Sequence, residues 1–245
     1  MNNAQRHNLR CYVAEFIGTG AIVFFAAGSV VVSAALGGLH GQLISGIASG
    51  AIVTITVWAF YGVSGAHLNP ALSFALWLFG DFPLNKLPGY VAAQFAGSAA
   101  AAGLLYATLG SIGNMGANLP NSELGISPSS AFGIEVFLSF LMMLVIRAAF
   151  AAEAPLRQFA PLPIGAIVGL EVMLMGPVAG AAMNPARAFG PTLFLSDWRF
   201  FWIYLAGPVC GIVAGAITWK FLAPTAAAAP VGYATSAGKP LDWPT

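Results

Sequence analysis

The chain has 245 residues, 58% hydrophobic and 7% charged, with a net charge of +1 and a mean hydropathy of +0.82. So little charge places it in a bilayer rather than in water, and the absence of a basic stripe excludes a nucleic acid or other polyanionic partner. Cys11 and Cys210 are too few for a disulfide framework and read as packing residues.

Residues 1–10 are polar and form a cytoplasmic N-terminus, and the first apolar span, 11–36, lacks a small-residue cleavage pattern and is expected to be retained. Further spans read at 42–63, 87–110, 131–151, 161–178 and 200–222, each able to cross about 30 Å of hydrocarbon, the fifth being short and Gly-interrupted. A linker, 111–130, separates the third and fourth spans. The tail, 223–245, is rich in Ala and Pro and is expected to be disordered. Arg6, Arg10, Lys86, Arg147, Arg157 and Lys220 fall on one side if both termini are cytoplasmic, and Arg199 falls on the other, as the positive-inside rule requires.

Between spans two and three stands Asn69-Pro70-Ala71, and between spans five and six Asn184-Pro185-Ala186. Asn is a strong helix N-cap and Pro is favoured at the first helical position, so each triplet opens a helix. The first runs from Pro70 to Phe79 and the second from Pro185 to Leu195, each about 15 Å long. Two such half-helices entering from opposite faces meet at the membrane centre with both positive dipole ends aimed at one place. Within the second, Pro191 leaves the carbonyl of Arg187 without its regular helical partner.

The chain also repeats itself. Tyr90, Ala93, Gln94 and Gly97 answer to Tyr204, Gly207, Pro208 and Gly211, and Glu15 and Thr19 answer to Glu135 and Ser139. Repeat one covers about 11–110 and repeat two about 131–222; three spans in each make the second copy inverted. Gly46 with Gly50, Gly165 with Gly169, and Gly207, Gly211 and Gly215 have the spacing at which helix backbones approach closely in lipid.

Glu15, Glu135, Glu171 and Arg187 lie where charge is costly unless it is buried in protein or faces water. Glu15 and Glu135 read as structural carboxylates that accept hydrogen bonds from the re-entrant loops. Arg187 lies one turn from the midplane with five donors. His67 reads as a loop-packing residue. For Glu171 two readings stand: it turns inward as an acceptor, or it points away and pairs within the bundle.

Ser64-Gly65-Ala66-His67-Leu68-Asn69-Pro70-Ala71 and Met183-Asn184-Pro185-Ala186-Arg187-Ala188-Phe189-Gly190-Pro191 resemble the two signature loops of the aquaporin family of major intrinsic proteins, and the likeness runs from Cys11 to Leu222. The resemblance implies an all-α membrane protein of six transmembrane helices and two re-entrant half-helices, with channel domain 11–222. It implies a passive pore in each subunit of a homotetramer, for water and small uncharged solutes and closed to protons and ions. No cofactor, metal or catalytic residue is expected. Asn69, Pro70, Ala71, Asn184, Pro185 and Ala186 would form the pore midplane, and His67, Gly180, Ala182 and Met183 would line the pore through their loops.

Counting from the motifs as the family does, the selectivity filter is Ser49, Val172, Ala181 and Arg187. The aromatics that water channels carry at the first place and glycerol facilitators at the first and third are missing. Such a ring is similar to that of nodulin-like and metalloid-permeable bacterial members, which implies polyols and metalloid acids such as arsenite among the permeants and a bacterial inner (plasma) membrane as the location. Ala188 replaces the Asp of glycerol facilitators. A water-selective aquaporin is the alternative, and an ion-coupled secondary transporter a more distant one.

Overall fold

The computed structural model describes residues 1–38, 40–151 and 156–223; the tail assigned to 223–245 therefore lies outside the described residues beyond Ala223. The helices are α1 (Asn3–Ala35), α2 (Gly41–Ser64), α3 (Pro70–Leu78), α4 (Leu87–Leu109), α5 (Pro128–Ala151), α6 (Pro161–Ala179), α7 (Pro185–Leu195) and α8 (Phe201–Leu222). Short 3-10 turns lie at Leu84–Lys86, Ile112–Gly116 and Leu156–Phe159. Six of the described helical stretches are long and apolar enough to cross a membrane, while α3 and α7 have half that length.

One boundary differs from the sequence reading: α1 begins at Asn3 rather than near Cys11. The cause is local. The Asn2 side chain accepts from Gln5 N at 2.8 Å while Gln5 Oε1 accepts from Asn2 N at 2.9 Å, a reciprocal cap that carries the helix through polar residues.

Packing follows the repeat. α1 packs on α2 and α4 as α5 packs on α6 and α8, and α2 crosses α6 at the centre. Each half-helix crosses to the other repeat, α3 against α8 and α7 against α4. The central crossing is close because four of its positions, Gly46, Gly50, Gly165 and Gly169, carry no side chain. A Cβ on Gly50 would lie 2.7 Å from the Gly165 carbonyl oxygen, and one on Gly46 2.8 Å from that of Gly169, so glycines bring the two backbones into contact where lipid provides no hydrophobic drive. On α8, Gly207 and Gly211 admit Glu135 and Ser139 of α5 in the same way.

The long linker does not stand clear of the bundle. Its turn at Gly113–Met115 takes left-handed backbone angles and buries Met115 against Val23, Ala27 and Leu105. Asn121 then fastens it to the end of α6, its N–H donating to Val178 O at 3.0 Å and its side-chain amide to Pro177 O at 2.8 Å.

Candidate functional site: a central channel

The two re-entrant loops share one backbone course. Gly65, Ala66 and Leu68 have φ of +80°, +48° and +52°, and their repeat mates Gly180, Ala181 and Met183 have +98°, +45° and +51°. Left-handed angles at Ala, Leu and Met are unfavourable, so something must hold them. Glu15 does so in the first repeat: Oε1 accepts from Ser64 Oγ at 2.7 Å and His67 N at 2.9 Å, and Oε2 from Leu68 N at 2.6 Å and Gln94 Nε2 at 2.8 Å. In the second, Glu135 accepts from Ala182 N and Met183 N, each at 2.8 Å. Both are fully buried. Tyr90 OH donates to Ser64 O at 2.7 Å and Tyr204 OH to Ala179 O at 2.8 Å, so a matched tyrosine ties down the last carbonyl before each loop.

Each loop ends in a capped half-helix. Asn69 Oδ1 accepts from Ala71 N at 3.0 Å and Leu72 N at 3.4 Å, and Asn184 Oδ1 from Ala186 N and Arg187 N at the same distances. The amide ends cross over: Asn69 Nδ2 donates to Met183 O at 2.9 Å and Asn184 Nδ2 to Leu68 O at 2.8 Å. One N–H of each amide is thereby used inside the protein, leaving the second for whatever occupies the space in front of it.

That space is a cavity of about 90 Å³. Its wall contains both Asn69 and Asn184 together with all four residues counted as a filter, Ser49, Val172, Ala181 and Arg187. His67, Ala182 and Met183 line it too, with Nδ1 of His67 3.0 Å from Ser73 Oγ and its ring against Phe82 and Tyr90. The rest of the wall is largely apolar, including Val53, Val57, Leu72, Met142, Ile146 and Val168. Apart from Leu72 of α3, those residues fall at helical spacing on α2, α5 and α6, a pattern in the sequence that an all-round apolar helix hides.

Three expectations differ from the structure. Gly180 is not in the wall; its carbonyl accepts from Asn118 Nδ2 at 2.7 Å. Pro70, Ala71, Pro185 and Ala186 are buried at the starts of α3 and α7 and are not among the residues that line the cavity, and the Ala186 carbonyl accepts from Ser98 Oγ. Glu171 neither faces the cavity nor pairs within the bundle: it is buried, and neither carboxyl oxygen has a hydrogen-bond partner among the described residues.

Arg187 is held by residues the sequence reading passed over. Its Nη1 donates to Gly116 O at 2.7 Å and to Asn118 Oδ1 at 2.6 Å. Asn118 thus joins Arg187 to the Gly180 carbonyl, and the linker becomes part of the channel mouth. Among the described residues no group of three His, Cys, Asp or Glu is placed to hold a metal ion.

A family model described as Major intrinsic protein matches residues 2–219. Aquaporin NIP1-3 of Oryza sativa subsp. japonica is 36% identical over 214 residues, covering 86% of this chain and 72% of the relative. Probable aquaporin AqpM of Archaeoglobus fulgidus is 35% identical over 240 residues, covering 86% and 96%. The X-ray structure of the aquaglyceroporin from Plasmodium falciparum superposes with a TM-score of 0.75 at 25% identity, over 89% of this chain and 98% of that one.

Proposed function

Because the chain belongs to the major intrinsic protein family of passive membrane channels, we propose that it conducts water and also neutral solutes larger than water, polyols and metalloid acids such as arsenite among them. Ser49, Val172, Ala181 and Arg187 act as the filter in this reading. What supports it is that these four, drawn from α2, α6, a loop and α7, line one cavity with Asn69 and Asn184. Three of them are short side chains, so the aperture is set by Arg187 and by the absence of aromatics.

A neutral solute entering this ring exchanges hydration for the Ser49 hydroxyl, which has no hydrogen-bond partner among the described residues, and for the donors of Arg187 that Gly116 and Asn118 leave free. At the centre, the remaining N–H groups of Asn69 and Asn184 orient a passing oxygen so that it donates away from the midplane in both directions, which interrupts a proton wire. The N-termini of α3 and α7, each worth about half a positive charge, oppose cations at the same place.

The proposal takes residues 11–222 as the channel domain, assembled as a homotetramer with one pore per subunit. It includes a bacterial inner membrane with both termini in the cytoplasm, the orientation resting on the asymmetry of Arg and Lys. Stopped-flow permeability of proteoliposomes to water, glycerol, urea and arsenite, measured side by side, tests it: all four are expected to pass above the protein-free control. Water flux with exclusion of the other three would replace this reading with a water-selective channel.

A further inference from the structure

The ring of Ser49, Val172, Ala181 and Arg187 holds no aromatic side chain, but the other end of the same cavity does. Among the described residues that line it, His67 and Phe150 alone carry rings. The His67 ring is buried against Phe82 and Tyr90, whereas Phe150 is partly exposed.

Phe150 breaks the symmetry of the wall. Ile22 and Ala26 of α1 line the cavity, and so do Met142 and Ile146 of α5, their mates at the offset that relates Glu15 to Glu135. One turn further on the mates are Val30 and Phe150, and of these two only Phe150 lines the cavity. The α5 side is thus a turn longer, at the cytoplasmic end in the orientation proposed above.

The α2 side explains how the ring is held. Ser49, Val53 and Val57 line the cavity at four-residue intervals. Tyr61 is next in that stripe but is not in the wall; the Phe150 ring, stacked on it with centroids 4.7 Å apart and planes 12° from parallel, is. A side chain of α5 therefore stands where the α2 stripe ends. Ser49 and Tyr61 are about 18 Å apart along α2, so this ring lies well away from the filter. On the preceding turn of α5, Arg147 Nη2 is 2.7 Å from Asp81 Oδ2, which fastens the end of α5 to the chain that follows α3.

We propose that Phe150 is a second specificity-determining residue, a constriction at the inner end of the channel that acts in series with Ser49, Val172, Ala181 and Arg187 and limits neutral solutes larger than water. Resistances in series add. With only short side chains beside Arg187 at the outer ring, the bulkier inner ring governs the larger solute. The phenyl ring has neither donor nor acceptor, so a solute beside it gives up hydration on that face without replacement, and a polyol gives up more than urea or water. The inference rests on the reading of this cavity as a channel.

Phe150→Leu and Phe150→Trp keep the site apolar while shrinking and enlarging it. Stopped-flow fluxes of water, urea and glycerol are measured on proteoliposomes of wild type and of each variant, and the ratio of glycerol to water flux cancels differences in the amount of folded protein. The ratio is expected to rise at least about threefold in Leu and to fall at least about threefold in Trp, with urea moving less in both. A residue that merely supports the helix end changes water and glycerol flux together, so wild-type ratios in both variants, or ratios that move the same way in both, overturn the inference alone. Absence of water and solute flux above the protein-free control in all three proteins ends the channel reading and this inference with it.

Discussion

The side-chain amide of Asn69 donates to the main-chain carbonyl of Met183 at 2.9 Å, and Met183 is the residue immediately before the repeat mate of Asn69. The mirror bond, Asn184 to Leu68, makes the contact reciprocal. Each asparagine therefore does two jobs with its two ends: the oxygen caps its own half-helix, and the nitrogen fixes the other repeat's loop against it. The two positive helix ends are held together by neutral hydrogen bonds.

Asn69→Asp separates those two jobs. Asp keeps the capping oxygen for Ala71 N and Leu72 N but turns the donor toward Met183 into a negative charge. Folding should persist, with a loss of about 1–3 kcal/mol for the buried acceptor left unpaired. Cation leak should rise about tenfold, the equivalent of about 1.4 kcal/mol off the barrier. Ion flux into dye-loaded proteoliposomes, normalised to water flux, checks it; an unchanged ratio would remove Asn69 from the barrier.

Asn118→Ala should loosen Arg187 without touching the filter ring itself. It removes both the acceptor for Arg187 Nη1 and the donor to Gly180 O, at a cost of about 1–3 kcal/mol for groups left unpaired in a buried site. The expected readout is a raised cation leak at nearly unchanged water flux. Asn118→Asp restores the acceptor for the guanidinium and should return the leak most of the way to wild type. If Ala and Asp behave alike, Arg187 is positioned by the Gly116 carbonyl and the chain around it.

The contrast between Asn69 and Asn118 shows what was legible in the sequence. Asn69 announces itself because its role as a cap is local: the two amides it caps are two and three residues on, and Pro70 follows it. The six spans and the glycines of α2 and α6 are legible for the same reason, as each obeys a spacing within one helix. Asn118 meets Arg187 across 69 residues and Gly180 across 62, and its surroundings, 111–130, have the Gly, Asn, Ser and Pro content of an ordinary surface loop. Nothing periodic marks a loop that folds inward to complete a mouth. Glu171 was visible as an anomaly, but its lack of a hydrogen bond among the described residues depends on how the helices around α6 pack, which no local pattern encodes.

Gly165→Ala tests the central crossing. The new methyl group would press on Thr54 Oγ1 and on the Gly50 carbonyl oxygen, and the carbonyl cannot yield without moving a helix backbone. Overpacking of this kind costs about 1–3 kcal/mol. Gly62→Ala is the control, because a Cβ there meets nothing within 4 Å and replacing glycine inside a helix gains about 0.5–1 kcal/mol. Thermal unfolding in detergent should therefore place the two variants on opposite sides of wild type. Equal midpoints would mean that α2 and α6 are not in backbone contact.

The width of the filter is open to a direct steric test. Ser49 and Ala181 stand in the cavity wall as small side chains, each buried and neither crowded by an aromatic ring of its own. Ser49→Phe and Ala181→Phe put a ring into the aperture at two separate points, one from α2 and one from the loop before Asn184, while Arg187 and the two asparagines keep their bonds. A single file of water passes a narrowed ring that a polyol or arsenious acid cannot, so the effect must depend on solute size. Each variant is expected to lower glycerol, urea and arsenite flux at least about tenfold, equivalent to about 1.4 kcal/mol or more of added barrier, and to lower water flux much less. Light-scattering kinetics on the same liposome preparation give both numbers at once. Equal loss of water and solute flux would mean that the rings block the channel outright, and no loss of either would mean that the path of the solute does not run between positions 49 and 181.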